Sequence, residues 1–276
     1  MTARIHAEPR SKGLLTPQRT DSALPPPVII ARHAAVGRAS LFVRHYWLPR
    51  WELPPSAGVR QDVLEYPTAN LVIEPHAAAL YRAQRGAGSR TLEGSGWAFG
   101  VLLNPGVARN WAGVSVRSLP AATPLDRLVA SGTPQLTLAV RDRMSCGDDE
   151  GAIEAFQSWL DGRSEPDEDA RLVGRIVAEV ESDRSLLRVE DLAVRFGLGV
   201  RHLQRLVAGH IGFGPKWLIQ RYRLQEAAAA LRSQDPPSLA MLAAELGYAD
   251  QAHFSREFRT VIGATPGVYA AAQSRP

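Results

Sequence analysis

Two sets of mostly polar side chains near the carboxyl end of the chain have residue types that can recognise DNA bases. An Arg guanidinium can donate two hydrogen bonds to guanine O6 and N7, and a Gln amide can pair with adenine N6 and N7. Within each set the spacing places the side chains on one face of a helix. The predicted base-reading residues are Arg201, Gln204 and Arg205 in the first set, and Gln251, Ala252, Ser255 and Arg256 in the second.

Both sets lie inside an internal repeat that predicts two helix-turn-helix units. Gly197 aligns with Gly247 at an offset of fifty residues, whereas Pro215 aligns with Pro266 at fifty-one, so one residue has been added in the second turn. Each copy combines a short apolar-periodic helix, a turn at the Gly and a second helix with a polar outer face. Any helical hairpin can match this pattern once, but two copies in fixed register are much stronger evidence.

The apolar positions predict which face each second helix buries, and the prolines predict where the following helices begin. A helix from Pro215 to Arg232 would be about 27 Å long at ~1.5 Å per residue, and major-groove segments on one side of DNA lie roughly 34 Å apart. One chain can therefore place both second helices in adjacent segments. The predicted inward residues are Leu203, Leu206 and Val207 in the first copy, and Phe254, Phe258 and Val261 in the second.

The charge distribution also favours DNA as the partner of this part of the chain. Residues 170–276 contain 14 Arg and Lys against 10 Asp and Glu, so they hold the whole net charge of +4. Cations beside the reading faces can bind phosphates without reading sequence. The predicted contacts to the DNA backbone are His202, Lys216, His253 and Arg259.

The residues from Leu192 to Tyr269 resemble the DNA-binding domain of the AraC/XylS family of bacterial transcription regulators. The shared motifs are Leu203-Gln-Arg-Leu206, Gly212-Phe-Gly-Pro215, Leu246-Gly-Tyr248, Phe254-Ser-Arg-Glu-Phe258 and Gly263-Ala-Thr-Pro266. The resemblance implies that the seven residues named first are the base readers. Three departures, at Gly199, Val207 and Gly214, all fall in the first copy, which is therefore expected to be the looser reader. In the second copy Asp250 is available as a helix cap.

The chain as a whole is predicted to be an α+β protein of two domains. Short β-branched and aromatic runs separated by Pro and Gly indicate a β-rich barrel or sandwich in the first half. Arg82–Gly96 is predicted to be a mobile hairpin or loop, and helical spacing is expected in 119–129, 151–160 and 170–180. The predicted divisions are a flexible leader at 1–27, a β-rich sensor or dimerisation domain at 28–160, a linker at 161–169 and a double helix-turn-helix domain at 170–276.

The amino-terminal half resembles the poorly characterised, cupin-like sensor domain that precedes some AraC-type DNA-binding domains. The resemblance rests on His45-Tyr-Trp47, Leu64-Glu-Tyr-Pro67, Asn70–Glu74 and Gly100–Gly106, and it implies effector sensing, dimerisation or both. Aromatic side chains can line a small-molecule pocket, although each one alone is more often part of a core. The candidates for an effector pocket are Tyr46, Trp47, Trp51, Trp97 and Phe99.

The remaining polar residues of the first half indicate neither a metal site nor a catalytic site. His33, His45 and His76 lack paired spacing with a following carboxylate, so they are read as isolated core or surface histidines. The carboxylates of Asp62, Glu65 and Glu74 lack an evident partner and are read as solvated.

These observations predict a sequence-specific transcription regulator without catalytic activity or cofactor. Its expected partners are promoter DNA, a small-molecule effector, RNA polymerase and a second copy of the chain. With Cys146 as the only cysteine and no long apolar run, a cytoplasmic protein with no membrane contact is expected. Two alternatives stay open at this point: a non-specific nucleoid-type DNA binder, and a β-domain enzyme with a DNA-binding tail.

Overall fold

The structure is a computed structural model, and it describes residues 28–55, 58–63, 66–86, 88–129, 131–233 and 235–273. The predicted leader lies outside these residues. A sheet-rich first half is followed by a helical second half, which confirms the predicted α+β class. In the described part of the chain, no helix combines the length and the apolar character that a membrane span requires.

The first half is built on one antiparallel sheet and a separate two-stranded ribbon. The strands are β1 (Val28–Ala34), β2 (Val43–Glu52), β3 (Gly58–Val63), β4 (Asn70–Ile73), β5 (Ala78–Tyr81), β6 (Gly88–Glu93), β7 (Ser95–Trp97), β8 (Phe99–Leu103) and β9 (Ala122–Pro124). The sheet has the strand order β1-β2-β8-β4-β5-β9, with β7 also paired to β2, and the ribbon joins β3 to β6.

Two predictions for the first half are wrong in detail. The segment 82–96 was expected to be a hairpin or loop because of its glycines; it contains β6 and most of β7, but these strands pair with β3 and β2 and not with each other as in a hairpin. The segment 119–129 was expected to be helical, but β9 occupies its middle and only a short helix follows. Pairing with distant strands overrode local composition in both places.

Four helices belong to the first half: α1 (Val107–Ala112), α2 (Leu125–Leu128), α3 (Thr133–Ser145) and α4 (Asp149–Asp161). The helix α4 confirms the prediction for 151–160, whereas α3 was not predicted. Its buried residues Leu136, Val140 and Met144 are spaced four apart, but Leu138 on the opposite side is 67% exposed and obscures the pattern. Both helices pack on the sheet, where the Phe156 ring meets Tyr46 and Phe99.

The second half consists of helices packed around two cores. The helices are α5 (Glu168–Ser182), α6 (Val189–Arg195), α7 (Val200–Ile211), α8 (Pro215–Ala230), α9 (Leu239–Glu245), α10 (Gln251–Ile262) and α11 (Pro266–Gln273). Residues of α5, α6, α7 and the first half of α8 form one core, and the second half of α8 joins α9, α10 and α11 in the other. Because α8 contributes to both cores, it connects them as one continuous element.

Candidate nucleic-acid interface

The turns of the two helix-turn-helix units are built in the same way. After α6, the backbone N–H of Leu198 donates to the carbonyl of Ala193 at 2.9 Å, and Gly197 has a φ of 62°. After α9, the N–H of Tyr248 makes the equivalent bond, also at 2.9 Å, and Gly247 has a φ of 73°. This pattern is the Schellman motif, which requires a left-handed residue that Gly adopts without strain. The repeat in the sequence is therefore a repeat in three dimensions.

The two units differ where their second helices begin. The helix α10 starts after Asp250, whose carboxylate accepts a hydrogen bond from the His253 backbone N–H at 2.6 Å. The helix α7 starts after Gly199, which has no side chain to cap it. The residue added in the second copy is Ala249, since the turn glycines are offset by fifty and the capping positions by fifty-one. The first unit thus lacks the side-chain cap that the second unit has, as the sequence predicted.

The apolar faces of α7 and α10 are buried as the sequence predicted. All six of the predicted inward residues are at most 8% exposed. The reading faces on the opposite side are exposed, apart from Ser255, which is half-buried. Among the described residues, no carboxylate forms an ion pair with the arginines of these faces, Arg201, Arg205 and Arg256. Their guanidinium groups are therefore available to an external partner.

The four predicted backbone contacts flank these faces. His202 is exposed in the first turn of α7, Lys216 is exposed at the start of α8, and Arg259 is exposed on α10. The ring of His253 is half-buried and lies edge-on to Tyr248, 5.2 Å between centroids. Its position allows packing and backbone contact together.

Two buried arginines fix α8, and sequence reasoning did not identify their role. The Arg223 guanidinium donates to the carbonyls of Val180 and Asp183 at the end of α5 and pairs with Glu226 at 2.7 Å. Burial lowers the pKa of Arg223, against the attraction of Glu226. Arg221 is 1% exposed and donates to the carbonyl of Arg85 at 3.2 Å in the amino-terminal half. The helix α8 is therefore anchored to α5 by one arginine and to the amino-terminal half by the other.

The amino-terminal half also touches the end of α7. Arg109 Nη1 lies 3.3 Å from Nδ1 of His210, which is itself 2.8 Å from the Leu206 carbonyl. Burial lowers the pKa of His210, the Leu206 carbonyl opposes this, and Arg109 adds to the lowering. Ser115 follows on the same surface, with its Oγ 3.5 Å from the Gly209 carbonyl. No sequence pattern indicates these contacts, since the residues are about a hundred positions apart.

The five aromatic residues proposed for an effector pocket do not surround one space. Tyr46 and Phe99 are 0% exposed in the core, and burial raises the pKa of Tyr46 to about 12. Trp47, the neighbour of Tyr46 in β2, points to the other face of the sheet and packs against Gly100, and Trp51 packs against Gly96. Trp97 packs partly buried against the main core.

Two polar residues of the first half have more defined surroundings than the sequence suggested. Glu74 was read as solvated, but it is 8% exposed and pairs with Arg90 at 2.5 Å. Its partner lies on a distant strand, which is why the sequence did not reveal it. His45 is 7% exposed, and burial followed by the charges of Arg32 and Arg44 lowers its pKa to about 4.

The two remaining histidines singled out in the sequence, His33 and His76, lie in different parts of the sheet. His33 lies on β1 opposite Tyr46, and His76 is exposed in the turn after β4. Glu65 and the side chain of Asp62 are outside the described residues. Among the described residues, no three His, Cys, Asp or Glu side chains are grouped in a way that could hold a metal ion.

Two separate parts of this chain match models of known protein families. Residues 192–272 match the family model described as a helix-turn-helix domain, and residues 38–123 match a domain of unknown function (DUF6597). An uncharacterized HTH-type transcriptional regulator of Haemophilus influenzae is 29% identical over 102 residues, 37% of this chain and 34% of the relative. The HTH-type transcriptional activator RhaS of Escherichia fergusonii is 39% identical over 77 residues, 28% of this chain and 27% of the relative.

Among solved structures, a transcriptional regulator of Chromobacterium violaceum with an AraC-type DNA-binding domain is 26% identical. The match covers 38% of this chain and 93% of that one, with a TM-score of 0.35. This chain spans only about a third or less of the curated relatives it matches, 34% and 27% of the two named above.

The carboxyl-terminal region is therefore a DNA-binding domain with two helix-turn-helix units. The motifs that resemble the AraC/XylS family all lie inside the matched residues 192–272. The family model matched by the amino-terminal region specifies no function, and its cupin-like character stays a prediction.

Proposed function

We propose that this chain is a sequence-specific transcription regulator that reads promoter DNA with α7 and α10. The observation that carries the proposal is the pair of exposed Arg and Gln faces, each opposite a buried apolar face and each held by the same Gly turn. Arg and Gln in this arrangement have the donor and acceptor geometry for guanine and adenine edges. The curated relatives named as transcriptional regulators support the proposal over the shared domain.

The two units are proposed to read with different strength. A side-chain cap holds the first turn of α10, which carries Gln251 and Ala252, whereas the first turn of α7 carries Arg201 without such a cap. The first helical turn is where a recognition helix meets base edges. We therefore expect the base positions read by α10 to be specified more strictly than those read by α7.

The amino-terminal region is proposed to control DNA binding through an effector, through self-association, or through both. Its contacts with α5, α7 and α8 support a mechanical link, because a shift of this region would move the helices that carry the reading faces. RNA polymerase is the expected further partner at a promoter.

Selection of random double-stranded DNA by the purified full chain tests the proposal. A regulator of this kind should enrich two half-sites about one helical turn apart, roughly 34 Å or about 10 base pairs. A non-specific binder would enrich no sequence and would lose affinity steeply with salt. The second outcome would reject the proposed function.

A further inference from the structure

A basic cleft lies between the amino-terminal region and the first reading helix. It has a volume of about 770 Å³, and no described Asp or Glu lines it. The nearby carboxylate of Asp167 does not line it and accepts hydrogen bonds from the Asn110 side chain at 2.6 Å and from the Ala170 backbone N–H at the start of α5 at 2.8 Å. The cations that line the cleft come from both halves of the chain: Arg109, Arg117, Arg201, Arg205 and Lys216.

Arg117 occupies a particular place in this cleft. It belongs to a 3-10 turn, Val116–Ser118, that packs against the carboxyl end of α7. Its Cα lies 3.9 Å from the position that a Cβ on Gly212 would take, so its backbone is in close contact with the end of α7. Its side chain is exposed, and no described carboxylate pairs with it.

The cations at the two ends of α7 are far enough apart to span the groove that the helix would enter. From Arg201 to Gly212, beside Arg117, the helix rises by roughly 16 Å at ~1.5 Å per residue. The major groove is about 12 Å wide, so cations at both ends of α7 can reach the two phosphate strands that border it. Arg201 is at one end of this span and Arg117 at the other.

We propose that Arg117 binds a phosphate of the DNA strand next to the groove occupied by α7, so that the amino-terminal region itself contacts DNA. This inference rests on the proposed function. DNA is the occupant that the cleft favours, because three base-reading residues, Arg201, Gln204 and Arg205, line the same space. A phosphate there would be continuous with the strand whose bases these residues read.

The salt dependence of DNA binding tests the inference on the full chain and its selected DNA site. Each phosphate contact contributes about 0.9 to the slope of log affinity against log salt. The Arg117→Ala variant should show a slope shallower by about 0.9. The ratio of the DNA affinity of the unmodified chain to that of the variant should therefore fall ~3.5-fold between about 50 and 200 mM salt. Arg117→Lys should keep the slope. The matched control is Arg127→Ala, another exposed arginine of the amino-terminal region that does not line the cleft.

A positional readout is available because Cys146 is the only cysteine. In a Cys146→Ser background, an iron chelate attached through Arg117→Cys should cleave the DNA strand at one edge of the first half-site. The same reagent attached through Arg127→Cys should not cleave there.

Three results would overturn the inference. The first is an unchanged slope for Arg117→Ala, and the second is absence of cleavage from position 117. The third is saturable binding of inorganic phosphate that needs Arg117 while the DNA slope stays the same, because the cleft would then take a small anion. If base preference still depends on Arg205 and Arg256, such a failure leaves the proposed function intact.

Discussion

Replacing the buried Arg223 should lower the stability of the DNA-binding region more than replacing any exposed arginine. Its guanidinium is the partner of two carbonyls near the end of α5, Val180 and Asp183, and of the carboxylate of Glu226. The last four carbonyls of a helix have no partner within the helix, so the Val180 carbonyl depends on an outside donor. The Arg223→Met change keeps apolar volume but removes all of these bonds.

The expected loss follows from the burial of the groups left behind. The Arg223 side chain is 2% exposed and that of Glu226 is 12% exposed. Removing one partner of a buried ion pair costs about 3 to 5 kcal/mol, because the groups it leaves behind lose a buried charged donor that an exposed contact does not replace. We expect Arg223→Met to lower the free energy of unfolding by this amount in a urea titration followed by far-ultraviolet circular dichroism.

The chain contains a matched control for this measurement. Arg184 pairs with the same Glu226 at 3.5 Å, but its side chain is 81% exposed. Exposed pairs contribute roughly 0 to 1 kcal/mol, so Arg184→Met should have little effect. Equal losses for the two variants, or a loss below about 1 kcal/mol for Arg223→Met, would refute the reasoning that burial decides the outcome.

Two further predictions concern a helix cap and a buried histidine. Asp250→Ala should destabilise the second unit by about 1 kcal/mol through loss of its cap, whereas Gly199→Ser should stabilise the first by a few tenths of a kcal/mol. Urea titrations measure both changes. A stabilising effect of Asp250→Ala would contradict the assignment of Asp250 as the cap. His45, whose pKa falls from 6.5 to about 4 on folding, favours the folded state above pH 6.5, and this contribution is lost as the pH falls toward 4. Between about pH 7.5 and 5 the unmodified chain should therefore lose ~2 kcal/mol more stability than His45→Gln. Parallel pH dependences in the two proteins would show that His45 titrates normally.

The features that could be predicted from the sequence are those that depend on neighbours along the chain. A Gly at a helix end, an Asp before α10 and apolar residues at helical spacing act within a few positions, so the two units were predictable in detail. The connector α8 was predicted to end at Arg232 and ends at Ala230, which makes it about 24 Å long at ~1.5 Å per residue.

The features that could not be predicted depend on residues far apart in the chain. The pairing of β6 with β3, the ion pair of Glu74 with Arg90 and the contact of Arg109 with His210 all require the fold itself. Composition suggested an aromatic pocket, but alternation along β2 sends Tyr46 and Trp47 to opposite faces. The pairing of strands in the sheet decides which of these side chains lie next to each other.

The base-reading assignment is tested most directly by comparing the DNA motifs selected by the full chain and by its Arg205→Ala and Arg256→Ala variants. Each variant should lose about 1 to 3 kcal/mol of binding free energy at the selected site and should relax preference at one base position, in the half-site read by α7 or α10 respectively. Lys216→Ala, by contrast, should weaken binding to all sequences alike. Unchanged motifs and affinities for both arginine variants would contradict the claim that α7 and α10 read the DNA sequence.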